Sequence, residues 1–149
     1  AGGLYDGVGN LIKYADILIP SEEFALGFTK KETAEEAAKA LYEAYHPDVV
    51  VITQGKKGGI MFSGKEIIAY PALPAEVVDS NGAGDVFHGA FAFAYAKGFD
   101  MYKCCIFSSA VSALKCTKLG ARSAVPEYKK VIEFLKELGY NEFEEDLEK

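Results

Sequence analysis

Apolar positions change their period several times along this chain, and each change marks an element. The run Asp48–Thr53, DVVVIT, is continuous and β-branched, which predicts a strand buried on both faces in the middle of a sheet. A shorter apolar run, Ile17–Ile19, predicts another strand after a short helix that begins at LIKYA. Between the two strands, SEEFALGFT opens on Ser21 as a helix cap with acids in the first turn. Ala34, Ala37, Ala38, Leu41, Ala44 and Tyr45 then share one face of a longer helix that Pro47 stops. Beyond the central strand, QGKKGG reads as a turn and IMFSGKEIIAY as a hairpin about Ser63–Gly64.

The second half turns helical. Phe87, Phe91 and Tyr95 lie four apart with alanines between them, which predicts a helix closed by Gly98. Asp100 caps the next helix, Gly120 ends it, and Pro126 opens the last one in its first turn. The acidic tail 141–149, NEFEEDLEK, is expected to fray. Strands alternating with helices, followed by helices alone, predict a layered α/β domain with a mostly parallel sheet. One domain covers 1–149, without repeats or an interdomain linker.

Composition narrows the partners. With half of its 149 residues apolar, the chain can build a core without disulfides or metals. A net charge of −6 and a pI near 5.0 argue against nucleic acid, which needs a basic face. No apolar run reaches membrane-spanning length, and no signal segment opens the sequence. Cys104, Cys105 and Cys116 lack metal-ligand or CxxC spacing and read as reduced, buried thiols of a cytoplasmic protein.

The candidate chemistry lies in Val77–Phe91, VVDSNGAGDVFHGAF. Gly82, Ala83 and Gly84 stand where a loop becomes a helix, so their backbone N–H groups can face an anion at the positive end of the helix. Asp85 shares that positive end, which favours its ionised form and leaves it able to accept a proton. A carboxylate base beside an anion nest is the minimal equipment for phosphoryl transfer to a hydroxyl. GxxxxGK[ST] is excluded because its lysine is missing. A calcium loop fails at Ala83 and Ala90, and Ser80, Asp85 and His88 lack the elbow of a hydrolytic triad. Taken alone, GAGD reads first as a helix start whose acid meets the dipole.

The longer stretch is more specific. DSNGAGDVFHGAFA closely resembles the C-terminal signature of the ribokinase-like (PfkB) family of carbohydrate kinases. VVITQGKKGGIMF resembles the family's strand and turn flanking ATP, and KLGARSAVP its segment after the adenine-side helix. The resemblance implies a Rossmann-like sheet and ATP-dependent phosphorylation of a sugar or sugar-like alcohol, with Mg2+. It makes Asp85 the catalytic base and Gly82, Ala83 and Gly84 the anion hole. Thr53, Gly55 and Gly58 match the turn along the nucleotide, Lys56 and Lys57 lie in that turn, and Ser109 falls near the adenine. Asp79, with carbonyls of Asn81, Lys115, Lys118 and Gly120, matches a site for a monovalent cation such as K+, although Ala124 replaces a serine found in some members. Many members carry Asn-x-x-Glu where this chain reads SEEF, so Glu22 or Glu23 would have to reach magnesium through water or serve only their helix.

Family members are roughly twice as long, and the sugar-binding half and its lid have no counterpart here. The start AGGLYDG resembles a loop leaving a strand, so the expected chain is the C-terminal, nucleotide-side part of a kinase. Its expected partners are a sugar, the missing N-terminal half or another chain, with a homo-oligomer also open. An alternative is a nucleotide-binding piece without activity of its own. A non-kinase Rossmann-like oxidoreductase is weaker, since no GxGxxG follows a first strand.

Overall fold

Val49, Val50, Val51 and Ile52 are all fully buried, and they form the strand around which the first of two compact units is built. A computed structural model describes residues 5–146; the expectations for residues 1–4 and 147–149 lie outside the described residues. The units are Ala1–Pro71 and Ala72–Lys149. In the first, α1 (Val8–Ile12) leads to β1 (Ile17–Leu18), then α2 (Glu22–Thr29), α3 (Ala34–Tyr45), β2 (Val49–Thr53), β3 (Gly59–Phe62) and β4 (Ile67–Tyr70). The four strands lie in the order β1-β2-β3-β4.

The α/β class is borne out, and the sheet is mixed. Among the described residues β1 and β2 pair in parallel, with Ile17 opposite Val49, and the isolated bridge Ser21–Thr53 continues that direction; β2–β3 and β3–β4 are antiparallel. The reason is connection length. A parallel neighbour needs a crossover of a dozen or more residues, which α2 and α3 supply, whereas the turns after β2 and about Ser63–Gly64 are too short for one. Helix α2 starts as expected, with Ser21 Oγ accepting from Phe24 N–H at 3.2 Å. Thr33 and Glu36 close a full capping box on α3.

Ala34, Ala37, Ala38 and Leu41 of α3 pack with Leu18, Val50, Ile52 and Ile60 in one core. Each larger side chain removed from water there stabilises the fold by ~1.5–3 kcal/mol. Ala44, expected on the same face, is exposed. Tyr42 continues the packed face instead, with its ring 5.2 Å from that of Phe62.

The second unit is helical: α4 (Ala83–Ala96), α5 (Met101–Cys116) and α6 (Tyr128–Glu137), then a 3-10 turn over Asn141–Asp146. Phe87, Ala90, Phe91 and Ala94 are the buried face of α4, and Tyr95, expected with them, is 46% exposed. Two steps of four residues drift by about 80° around a helix, so Ala94 rather than Tyr95 returns to the face of Phe87. Asp100 caps α5 by accepting from Lys103 N–H at 2.8 Å. All three cysteines are free and buried. Burial, helped by nearby Asp100, pushes the Cys104 thiol up to about 12. Burial foremost, then Cys104 and Asp100, pushes Cys105 up as well.

Pro126 precedes the Glu127 cap of α6 rather than lying inside its first turn. The expected fraying does not hold for the start of the tail. Phe143 is fully buried, with its ring 5.7 Å from Phe99 and the Lys103 ammonium 4.7 Å over it. Burying an aromatic ring and a cation–π contact together outweighs the repulsion among the neighbouring acids. Among the described residues no helix is long and apolar enough to cross a membrane.

Candidate active site

Gly82 begins the site. It caps α4 in the left-handed conformation, at φ 75°, where a side chain would be strained and a Cβ would come within 3.1 Å of Ala121. The first bond into the helix runs from Val86 N–H to the Gly82 carbonyl at 3.0 Å, and Ala83 N–H turns back to the Ser80 carbonyl at 3.1 Å. The N–H groups of Gly84 and Asp85 therefore lie in the first turn without a helical acceptor, the position from which a helix binds anions. Gly84 and Asp85 are both exposed. A Cβ on Gly84 would meet nothing within 4 Å, so the fold itself does not require glycine there. What the glycine provides is open approach to the backbone, directly beside the Asp85 carboxylate.

The segment ahead of α4 is tied to the end of α5. The carbonyl of Cys116 accepts from Val78 N–H at 2.8 Å and from Asp79 N–H at 3.1 Å. Asp79 Oδ1 accepts from Asn81 N–H at 2.9 Å, and Oδ2 from Gly120 N–H at 3.0 Å. Those two bonds, in that order, hold the Asp79 carboxyl below the usual carboxylate range; burial opposes them, and the Lys115 charge adds the smallest lowering effect. Ser112 Oγ donates to the Ala83 carbonyl at 3.3 Å, and His88 Nδ1 lies 2.6 Å from the Gly84 carbonyl.

Sequence reasoning missed the side chain at the centre of this arrangement. Lys115 is fully buried, and its ammonium donates to the carbonyls of Asp79, at 2.9 Å, and of Asn81. The expected cation set of Asp79, Asn81, Lys115 and Gly120 is thus brought together, but around a charge the chain already carries. The Lys115 carbonyl is also engaged, accepting from Lys118 N–H at 3.2 Å as α5 ends. Lys118 itself is exposed. These residues do not suit a free monovalent cation. The only advance signal was a lysine in the last turn of an otherwise buried helix.

The remaining candidates divide between the units. In the first, Thr53 ends β2, with its N–H on the Pro20 carbonyl at 3.0 Å, and the turn that follows carries Gly55 at φ 58° and Gly58 at φ 89°. Lys56 and Lys57 extend from that turn into solvent. The Glu22 carboxylate accepts from Gln54 Nε2 at 2.8 Å, so Glu22 braces the same turn, while Glu23 is exposed. No cluster of three metal-binding side chains exists among the described residues. In the second unit, Ser109 is buried within α5, 8% exposed. It does not line the apolar groove of about 340 Å³ formed by Val86, Ala90, Phe93, Phe107, Val125 and Tyr128 with their neighbours.

Comparison with known proteins places these features in context. The model of the pfkB family carbohydrate kinases matches residues 4–128. An ATP-dependent 6-phosphofructokinase of Thermoanaerobacterium thermosaccharolyticum is 36% identical over 120 residues, which are 80% of this chain and 37% of that enzyme. The structure of Arabidopsis thaliana ribokinase complexed with ribose and ATP superposes with a TM-score of 0.77 at 33% identity, covering 86% of this chain and 43% of that one. A putative ribokinase of E. coli in complex with ATP and Mg2+ gives a TM-score of 0.82 at 27% identity, covering 89% and 42%. The chain therefore spans about two fifths of the length of these relatives.

Proposed function

Since this chain belongs to the pfkB family of carbohydrate kinases, we propose that it supplies the catalytic and nucleotide-side part of an ATP-dependent kinase acting on a sugar or sugar-like alcohol. One observation carries the reading: an exposed carboxylate, Asp85, adjoins the unencumbered backbone of Gly84 in the first turn of α4. The Asp85 carboxylate takes the proton of the acceptor hydroxyl. The oxygen of that hydroxyl forms a bond to the γ-phosphorus of ATP as the bond from that phosphorus to the β–γ bridging oxygen breaks. ADP carries away the bonding pair, and the products are the phosphate ester and ADP. The N–H groups of Gly84 and Asp85 hold the negative charge on the transferring phosphoryl group, and such donors are typically worth ~10²–10³ in rate each. Magnesium, when bound with the nucleotide, neutralises phosphate charge.

In the other unit, the turn from Thr53 to Gly58 is the nucleotide-side candidate. Gly55, in the left-handed conformation, is exposed there, and Lys56 and Lys57 place positive charge beside it, while buried Gly58 closes the turn through its bonds to Gln54 and Gly55. Ser109, buried in α5, would act on an adenine only by shaping the helix around it.

A second reading has its own support. A chain spanning two fifths of its relatives would bind nucleotide without turning it over unless a complementary segment or chain presents the sugar. Sugar-dependent ADP release by the purified 149 residues, over a panel of pentoses, hexoses, sugar phosphates and nucleosides, separates the two. Release that appears only when the complementary half of a pfkB kinase is added supports both parts of the proposal. No release under either condition, despite nucleotide binding, would leave the binding-module reading.

A further inference from the structure

The Lys115 ammonium lies where carbonyl oxygens converge. It reaches back from the last turn of α5, at the negative end of the helix dipole, onto the carbonyls of Asp79 and Asn81. A fully buried lysine needs such partners, because burying an unpaired charge is prohibitively unfavourable. Carbonyl oxygens arranged in this way are also what replaces the hydration shell of a potassium ion. The loop they belong to is braced further by the Asp79 carboxylate on Asn81 and Gly120 N–H. It runs directly into Gly82, whose left-handed cap sets the direction of Gly84 and Asp85.

We propose that Lys115 is a tethered monovalent cation: its ammonium takes the carbonyls of Asp79 and Asn81, holds the start of α4 in place, and makes the site independent of potassium. Lys115 is on this account a positioning residue, acting through the 79–82 loop. Its effect on catalysis rests on the kinase reading above, whereas its effect on the loop does not.

The test is a melting series on the wild-type chain, Lys115→Ala and Lys115→Met in choline, potassium and methylammonium chloride at equal ionic strength. The wild type is expected to melt at the same temperature in all three. Lys115→Ala strands two carbonyls and should lose on the order of 10 °C in choline. It should recover most of that loss, saturably, in potassium or methylammonium. Lys115→Met fills the space without donating and should stay destabilised in every salt. In the sugar-kinase assay with the complementary half present, Lys115→Ala should lose roughly 10²-fold in kcat in choline, through misplacement of Asp85, and regain it in potassium. A wild-type chain stabilised by potassium overturns the proposal, and this remains decisive should Lys115→Ala fail to fold. So does a folded Lys115→Ala indifferent to all three cations. Absent turnover in every salt would count against the kinase reading and leave the melting result standing.

Discussion

Gly84 and Asp85 are adjacent, both exposed, and differ in what the fold asks of them. Gly84 has neither a positive φ nor a neighbour within Cβ reach, so Gly84→Val should fold normally and melt no lower than the wild type. In the assembled kinase the same change should cut kcat/KM for ATP by about 10², since it covers a backbone donor with a branched side chain. Unchanged kinetics with an unchanged circular dichroism spectrum would move the anion nest elsewhere. Asp79 makes a prediction about pH. Its folded pKa is depressed, so its contribution is fully present above the usual carboxylate value of ~3.9 and is lost as pH falls through the lower folded value. Asp79→Asn should flatten the acid limb of urea midpoint against pH and change its neutral plateau less steeply; an acid limb identical to wild type would contradict this. Gly82–Asp85 could be singled out as a candidate because its glycines and its carboxylate lie within four consecutive residues. The burial of Lys115 was not legible, because its acceptors are 36 and 34 residues away and nothing local marks a lysine as buried.

Elements were legible where local chemistry decides them. Ser21 and Asp100 cap the helices expected of them, and Ser63–Gly64 makes the hairpin, because side-chain oxygens and left-handed glycines act within a few residues. Ala44, Tyr95 and Phe143 were misjudged because burial depends on what packs opposite. A period of four overshoots the helix, and an acidic tail hides one ring that docks on Phe99. Gly59 shows how close such packing runs. A Cβ there would strike the Tyr70 ring and the Ile52 carbonyl, so Gly59→Ala should destabilise the sheet by ~1–3 kcal/mol, read from the urea midpoint. In α5, the raised thiol of Cys104, at about 12, predicts negligible labelling by a thiol reagent at pH 8 in the native state. Cys105, also raised by burial, should be equally inert. The sign is the reverse of that for Asp79. The thiols' contribution is full below the unfolded value of ~8.5 and disappears as pH rises towards the folded one. Rapid labelling without unfolding would contradict the burial of both.

At the scale of the whole molecule, the sheet of the first unit has β1 as an edge strand, with β2 its only partner among the described residues. An edge of this kind accepts another strand readily. The chain also spans only about two fifths of the relatives it matches. Alone, it should bind adenine nucleotide weakly and self-associate, and the complementary half of the kinase should restore both dispersity and turnover. Which substrate the proposed kinase takes was not legible, because nothing in the 149 residues resembles the family's sugar-binding half. The central claim is that Asp85 is the base of a phosphoryl transfer, and the most direct test compares steady-state kinetics of the assembled enzyme with and without Asp85→Asn. The account predicts that sugar-dependent ADP release falls by ~10²–10⁴ in kcat while the KM for ATP stays close to wild type. Turnover of Asp85→Asn within a few-fold of wild type would contradict it.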